Sequence, residues 1–115
     1  MYDEDQTWMP PSFRSLHCDR RDRLLITAPE LKRRYELCED LAQSLIEYSR
    51  GVHHDLGVAE DEVLRRCRLG LLVEPAQVTP AEATWIVARL AELQNWPWPD
   101  APGGSDQAAG GSARR

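Results

Sequence analysis

From Leu31 to Val52 small and apolar residues recur at alternating steps of four and three: Leu31, Tyr35, Cys38, Ala42, Leu45, Ser49, Val52. Lys32, Arg33, Glu36, Glu39, Gln43, Glu47 and Arg50 fall off that stripe. This spacing keeps one face of an α-helix apolar and the other wet, and it excludes a strand, whose faces alternate every residue. The segment is opened by Thr27-Ala28-Pro29-Glu30, in which a threonine cap, a proline in the first turn and a glutamate three residues on form a capping box. Ile26 and Leu31 stand at the positions of a hydrophobic staple, and Gly51 is the expected stop, so the spacing predicts a helix over 28–50. Leu37, Leu41, Ile46 and Tyr48 widen the stripe beyond a coiled-coil seam and favour a globular bundle.

Two further helices follow from similar signals. Glu60-Asp61-Glu62 puts negative charge at a helix start, and Val63, Leu64, Cys67 and Leu71 give it a short apolar face, predicting a helix over 59–70. Thr79-Pro80-Ala81-Glu82 repeats the capping logic and opens a third helix over 80–95, with Ala83, Ile86, Val87, Leu90 and Leu93 as its core stripe. No strand-period segment of useful length occurs, so the expected class is all-α, a small three-helix bundle. Residues 1–26 mix an acidic start, the cluster Trp8, Met9, Pro10, Pro11, Phe13 and a charge-dense stretch from Arg14 to Arg23, and are expected as an irregular arm. The helical domain then spans 27–96. The Pro-, Gly- and Ser-rich remainder, 97–115, is expected as a disordered tail.

The chain has 115 residues and a net charge of -5. With the ends set aside, a core of that size is marginal alone and raises the expectation of a partner. Net negative charge disfavours broad phosphate binding. No apolar run approaches a membrane span and the start is acidic, so a cytoplasmic protein is expected, with no membrane contact. Three cysteines, Cys18, Cys38 and Cys67, fit free thiols in a reducing compartment. Lys32 is the one lysine among fourteen basic residues, a bias that suggests a GC-rich bacterial or phage genome.

Chemistry-bearing patterns are sparse. His17, Cys18, Cys38, His53, His54 and Cys67 contain no CxxC or HxxxH pair, so no metal site is expected. No nucleophile elbow, phosphate-cradling glycine loop or protease signature is present, and no catalytic residue or cofactor is assigned. The segment from Asp55 to Leu72, with Leu56-Gly57-Val58 before a short helix and Gly70-Leu71-Leu72 after it, resembles the second half of a MerR-type helix-turn-helix. That resemblance implies a helix able to enter a DNA major groove, with Arg65, Arg66 and Arg68 as contacts. Folds of this type also serve as protein-binding modulators.

Trp85 lies more than a third of a turn from the third helix's stripe, beside Arg89 and Glu92. It could anchor an interface with Arg89, extended by Trp96 and Trp98, or it could pack beneath the N-terminal arm. The resulting expectation is a non-catalytic protein that binds and modulates or inhibits another protein, an adaptor or a phage-encoded host-takeover factor. Trp85, Arg89, Trp96 and Trp98 are its contact candidates. The alternative is a helix-turn-helix transcriptional regulator. Either could form a homodimer through the heptad-like spacing of the first helix.

Overall fold

A computed structural model describes residues 9–98. It is an all-α bundle: α1 spans Pro11–Arg14, α2 Ala28–Leu56, α3 Glu60–Leu71 and α4 Pro80–Gln94. A 3-10 turn, Ser15–His17, follows α1, and a single antiparallel bridge joins Cys18 to Leu24. No helix among the described residues is long and apolar enough to cross a membrane.

The long helix is longer than its sequence signals imply, since it passes Gly51 and ends only before Gly57. Gly57 has φ 69, the left-handed conformation that glycine adopts without strain. A helical glycine costs about 1 kcal/mol relative to alanine. Burial of Val52 one residue later outweighs it. The two threonine caps also differ. Thr27 Oγ1 accepts from the Glu30 amide at 3.2 Å, but the Glu30 carboxylate pairs with Arg33 instead of reaching back. Thr79 and Glu82 form the full reciprocal box, each bond 3.0 Å, because Glu82 is pressed into the interior and its carboxylate turns toward the cap.

α4 is the centre of the bundle. Its expected stripe is buried at Ala83, Ile86, Val87 and Leu90, and Glu82, Trp85, Ala88 and Ala91 are buried as well. A helix closed off on nearly every side needs neighbours all round. α2, α3 and α1 supply them. One core cluster gathers Phe13, Leu31, Cys38, Ala42, Val78, Ala83, Trp85 and Ile86. The other gathers Val52, Val63, Leu64, Cys67, Val87, Leu90 and Ala91. The α2 stripe is therefore occupied within the chain, with Leu31, Cys38, Ala42, Ser49 and Val52 all buried.

Residues 9–26 of the expected irregular arm carry only α1, the 3-10 turn and the bridge as regular structure, and they pack on the bundle. Phe13, carried on α1, is fully enclosed in the first cluster, with Met9, Leu16, Leu24 and Ile26 packed around it. Residues 10–26 belong to the folded domain because an aromatic ring of that size fills the gap between α2 and α4. Of the expected tail, 97–115, Pro97 and Trp98 are described, and Trp98 packs on the second cluster. The rest of that tail, 99–115, and residues 1–8, including Trp8, lie outside the described residues.

Candidate interaction site at the end of the last helix

Of the predicted contact residues, Trp85 is the one the structure moves furthest from its expected role. Its indole is 4% exposed. It meets the Phe13 ring edge-on at 5.1 Å and the Tyr35 ring at 6.0 Å. Its Nε1 donates to Ser12 Oγ at 2.9 Å. This is the arrangement beneath the arm, so Trp85 is corrected from a surface anchor to a core residue whose one polar atom is satisfied internally. Its off-stripe position reflects a helix that buries more than one face.

Arg89 likewise works inside the chain. Its guanidinium spans the Glu39 carboxylate, with Nε 3.0 Å from Oε1 and Nη2 3.1 Å from Oε2, and Nη1 reaches Glu92 at 3.1 Å. The fork joins α4 to α2. Burial pushes the Glu39 carboxyl up, but the bonds from Arg89 and Gln43 prevail and hold it below the usual carboxylate range.

A second polar knot, which the sequence did not reveal, joins the arm, α2 and α4. Glu82 is fully buried. Its carboxylate accepts from Arg34, with Nε at 3.0 Å, and from the Thr79 amide, and lies 2.8 Å from His17 Nε2. Arg34 also donates to the Gln77 carbonyl at 2.9 Å. Burial raises the Glu82 carboxyl, and the bonds from Arg34, Thr79 and His17 more than reverse it, leaving its pKa lowered. The only forward signal was the cap motif around Glu82; nothing in the spacing of His17 and Arg34 announces that they converge.

The buried thiols sit apart from nucleophilic chemistry. Burial pushes Cys38 up to about 12, helped by the charge of Glu82, and Cys67 up to about 11, so both are neutral thiols near pH 7. Among the described residues no three His, Cys, Asp or Glu side chains gather as a metal-holding group.

The helix-turn-helix arginines have partners on hand. Arg65 pairs with Asp61 at 3.1 Å and Glu62 at 3.3 Å, and Arg66 with Glu62 at 3.1 Å, all on the exposed side of α3. Arg68 turns inward, donating to Thr84 Oγ1 at 2.8 Å and to the Pro80 carbonyl at 3.2 Å. It ties α3 to α4.

Trp96 and Trp98 form a partly open aromatic surface at the end of the bundle. Asn95, at φ 60, ends α4 in the left-handed conformation, and the amides of Asn95 and Trp96 donate back to the carbonyls of Glu92 and Ala91. That closure turns the chain across the end of the bundle, where the Trp96 ring meets His53 at 5.1 Å. Pro97 and Trp98 continue past the start of α3 and, with Ala59, Glu60 and Asp61, line an open pocket of about 590 Å³. Two buried polar atoms in this part of the chain, Gln94 Oε1 and Trp98 Nε1, have no hydrogen-bond partner among the described residues. No protein-family model, curated protein or solved structure matches this chain.

Proposed function

We propose that this chain is a non-catalytic protein-binding module that modulates or inhibits its partner, and that it engages the partner through the Trp96-Pro97-Trp98 end of the bundle. The observation that carries the reading is Trp98, a half-buried tryptophan that walls an open pocket, its buried indole N–H without a partner among the described residues. Tryptophans of this kind supply a large rigid contact area and dominate many interfaces. The buried and half-buried charges Glu82, Arg34, Arg89 and Arg68 each bridge two elements and so hold the fold. Pairing of Arg65 and Arg66 with their own helix's carboxylates favours a protein partner over DNA, since phosphates would have to displace three acidic residues in the first turn.

Affinity capture with the full chain from a lysate of the source organism, with nuclease present, tests the reading. The expected result is a dominant protein retained by the native chain and lost with Trp98→Ala, while the far-UV helical signal is unchanged. Equal capture by both chains contradicts it, as does material that disappears with nuclease.

A further inference from the structure

We propose that the pocket between Trp98 and the start of α3 receives an arginine side chain from a basic segment of the partner. The inference rests on the protein-binding reading above and adds the chemistry of what is bound. The pocket is lined by Ala59, Glu60, Asp61, Pro97 and Trp98. Its lining carries two carboxylates, an aromatic ring and no cation.

The sign of the site follows from magnitudes. A helix start presents roughly half a positive charge, which by itself invites anions. Here Glu60, Asp61 and Glu62 already occupy that first turn. Glu60, Asp61 and Glu62 set three negative charges against Arg65 and Arg66, which pair with Asp61 and Glu62, and against the half charge, so the balance stays negative, with His53 Nε2 3.7 Å from Glu60. An incoming carboxylate or phosphate is repelled; a cation is drawn in.

Trp98 selects among cations. The face of an indole is negative and attracts a cation placed over it. A guanidinium is flat, lies against an aromatic ring and still presents its N–H edge to a carboxylate, whereas an ammonium is a compact, strongly hydrated point charge. A volume of about 590 Å³ exceeds what a lone guanidinium fills, which favours a side chain delivered with its flanking peptide.

The test follows the Trp98 indole N–H in ¹H–¹⁵N spectra of the full chain, assigned with Trp98→Phe. The probes are a Gly-Ser nonapeptide with one central arginine and its counterparts with citrulline, the uncharged isostere, lysine and glutamate. The arginine peptide is expected to move this resonance in a saturable, salt-sensitive way and the citrulline and glutamate peptides to leave it in place, with lysine weaker than arginine. By this resonance Glu60→Gln together with Asp61→Asn weakens the arginine peptide roughly three- to tenfold, and, read instead from the backbone amides of Ala59 to Asp61, Trp98→Leu weakens it more than Trp98→Phe.

Equal response to arginine and citrulline, or preference for glutamate, overturns the proposal. So does movement of the indole in Arg114→Gln with Arg115→Gln before any peptide is added, which would make this chain's own arginines the occupant. If Trp98→Ala still abolishes partner capture while arginine shows no advantage, the arginine assignment fails and the Trp98 surface stands. If capture is indifferent to Trp98, the broader reading fails on its own.

Discussion

Two tryptophans mark opposite conditions along one helix and its exit. Trp85, in the middle of α4, is covered by the arm, contacts Phe13 and Tyr35, and has its N–H bonded to Ser12. Trp98, four residues past the end of α4, leans on the second cluster, lines an open pocket and has an N–H with no partner among the described residues. The first cluster is closed by a segment of the same chain, Met9 to Ile26, and pinned by the Glu82–Arg34–His17 knot. The second is closed in part by an extended Trp-Pro-Trp end. A tryptophan with every requirement met internally serves stability, and one left partly open keeps ring surface that the proposed partner contact would cover.

The sharpest way to break this contrast is to empty the closed end. Phe13→Ala removes the fully buried ring beneath which Trp85 packs and should lower unfolding stability by about 3–5 kcal/mol, read by urea denaturation. A loss under about 1 kcal/mol would mean that the arm is not part of the cooperative domain.

Next comes the polar knot. Glu82→Ala leaves Arg34 without its carboxylate and should cost about 2–4 kcal/mol, somewhat less than for a fully buried pair because Arg34 keeps part of its surface in water. The pH dependence has a definite sign. The folded-state pKa of Glu82 lies below its ordinary 4.5, so its contribution is present above that value and is lost as pH falls through the lowered folded value. Glu39 has the same sign. The urea midpoint of the native chain should therefore fall between ~pH 5 and ~pH 3, and fall less steeply in Glu82→Gln. Parallel profiles would remove Glu82 from the account.

A smaller effect is expected where the ion pair is partly open to water. Arg89→Ala should cost about 1 kcal/mol in the same assay, since Arg89 and Glu39 both retain exposure and solvent screens the pair. A loss as large as that of Glu82→Ala would place the main electrostatic tie between α2 and α4 at Arg89 instead.

Much of the fold was legible because its signals are local. Thr79-Pro80-Ala81-Glu82 marks the start of α4, the four-three spacing marks α2, and the acidic triplet marks α3. The misreadings share a cause in tertiary contacts. Gly51 reads as a stop only until burial of Val52 is known, and Glu30 reads as a capping partner until Arg33 takes its carboxylate. Trp85 looked off-stripe because a single stripe was assumed, whereas α4 is surrounded. Phe13 sits in a proline- and charge-rich stretch with no periodicity, so its burial depends entirely on α2 and α4 being placed around it. At the candidate site Trp96 and Trp98 were visible in the sequence as an aromatic end. Their meeting with Glu60 and Asp61 was not, because it depends on the turn at Asn95 and on how α3 packs beside α4.

The central claim, that Trp85 holds the fold while Trp98 is available for recognition, is tested most directly by equilibrium urea unfolding of Trp85→Ala and Trp98→Ala side by side. The account predicts a loss of about 3–5 kcal/mol for Trp85→Ala. For Trp98→Ala it predicts no more than about 1–2 kcal/mol, since its removal also relieves a buried donor without a partner among the described residues and loosens residues 96–98. Equal losses, or a larger loss at Trp98, would contradict it and make the Trp-Pro-Trp end part of the structural core.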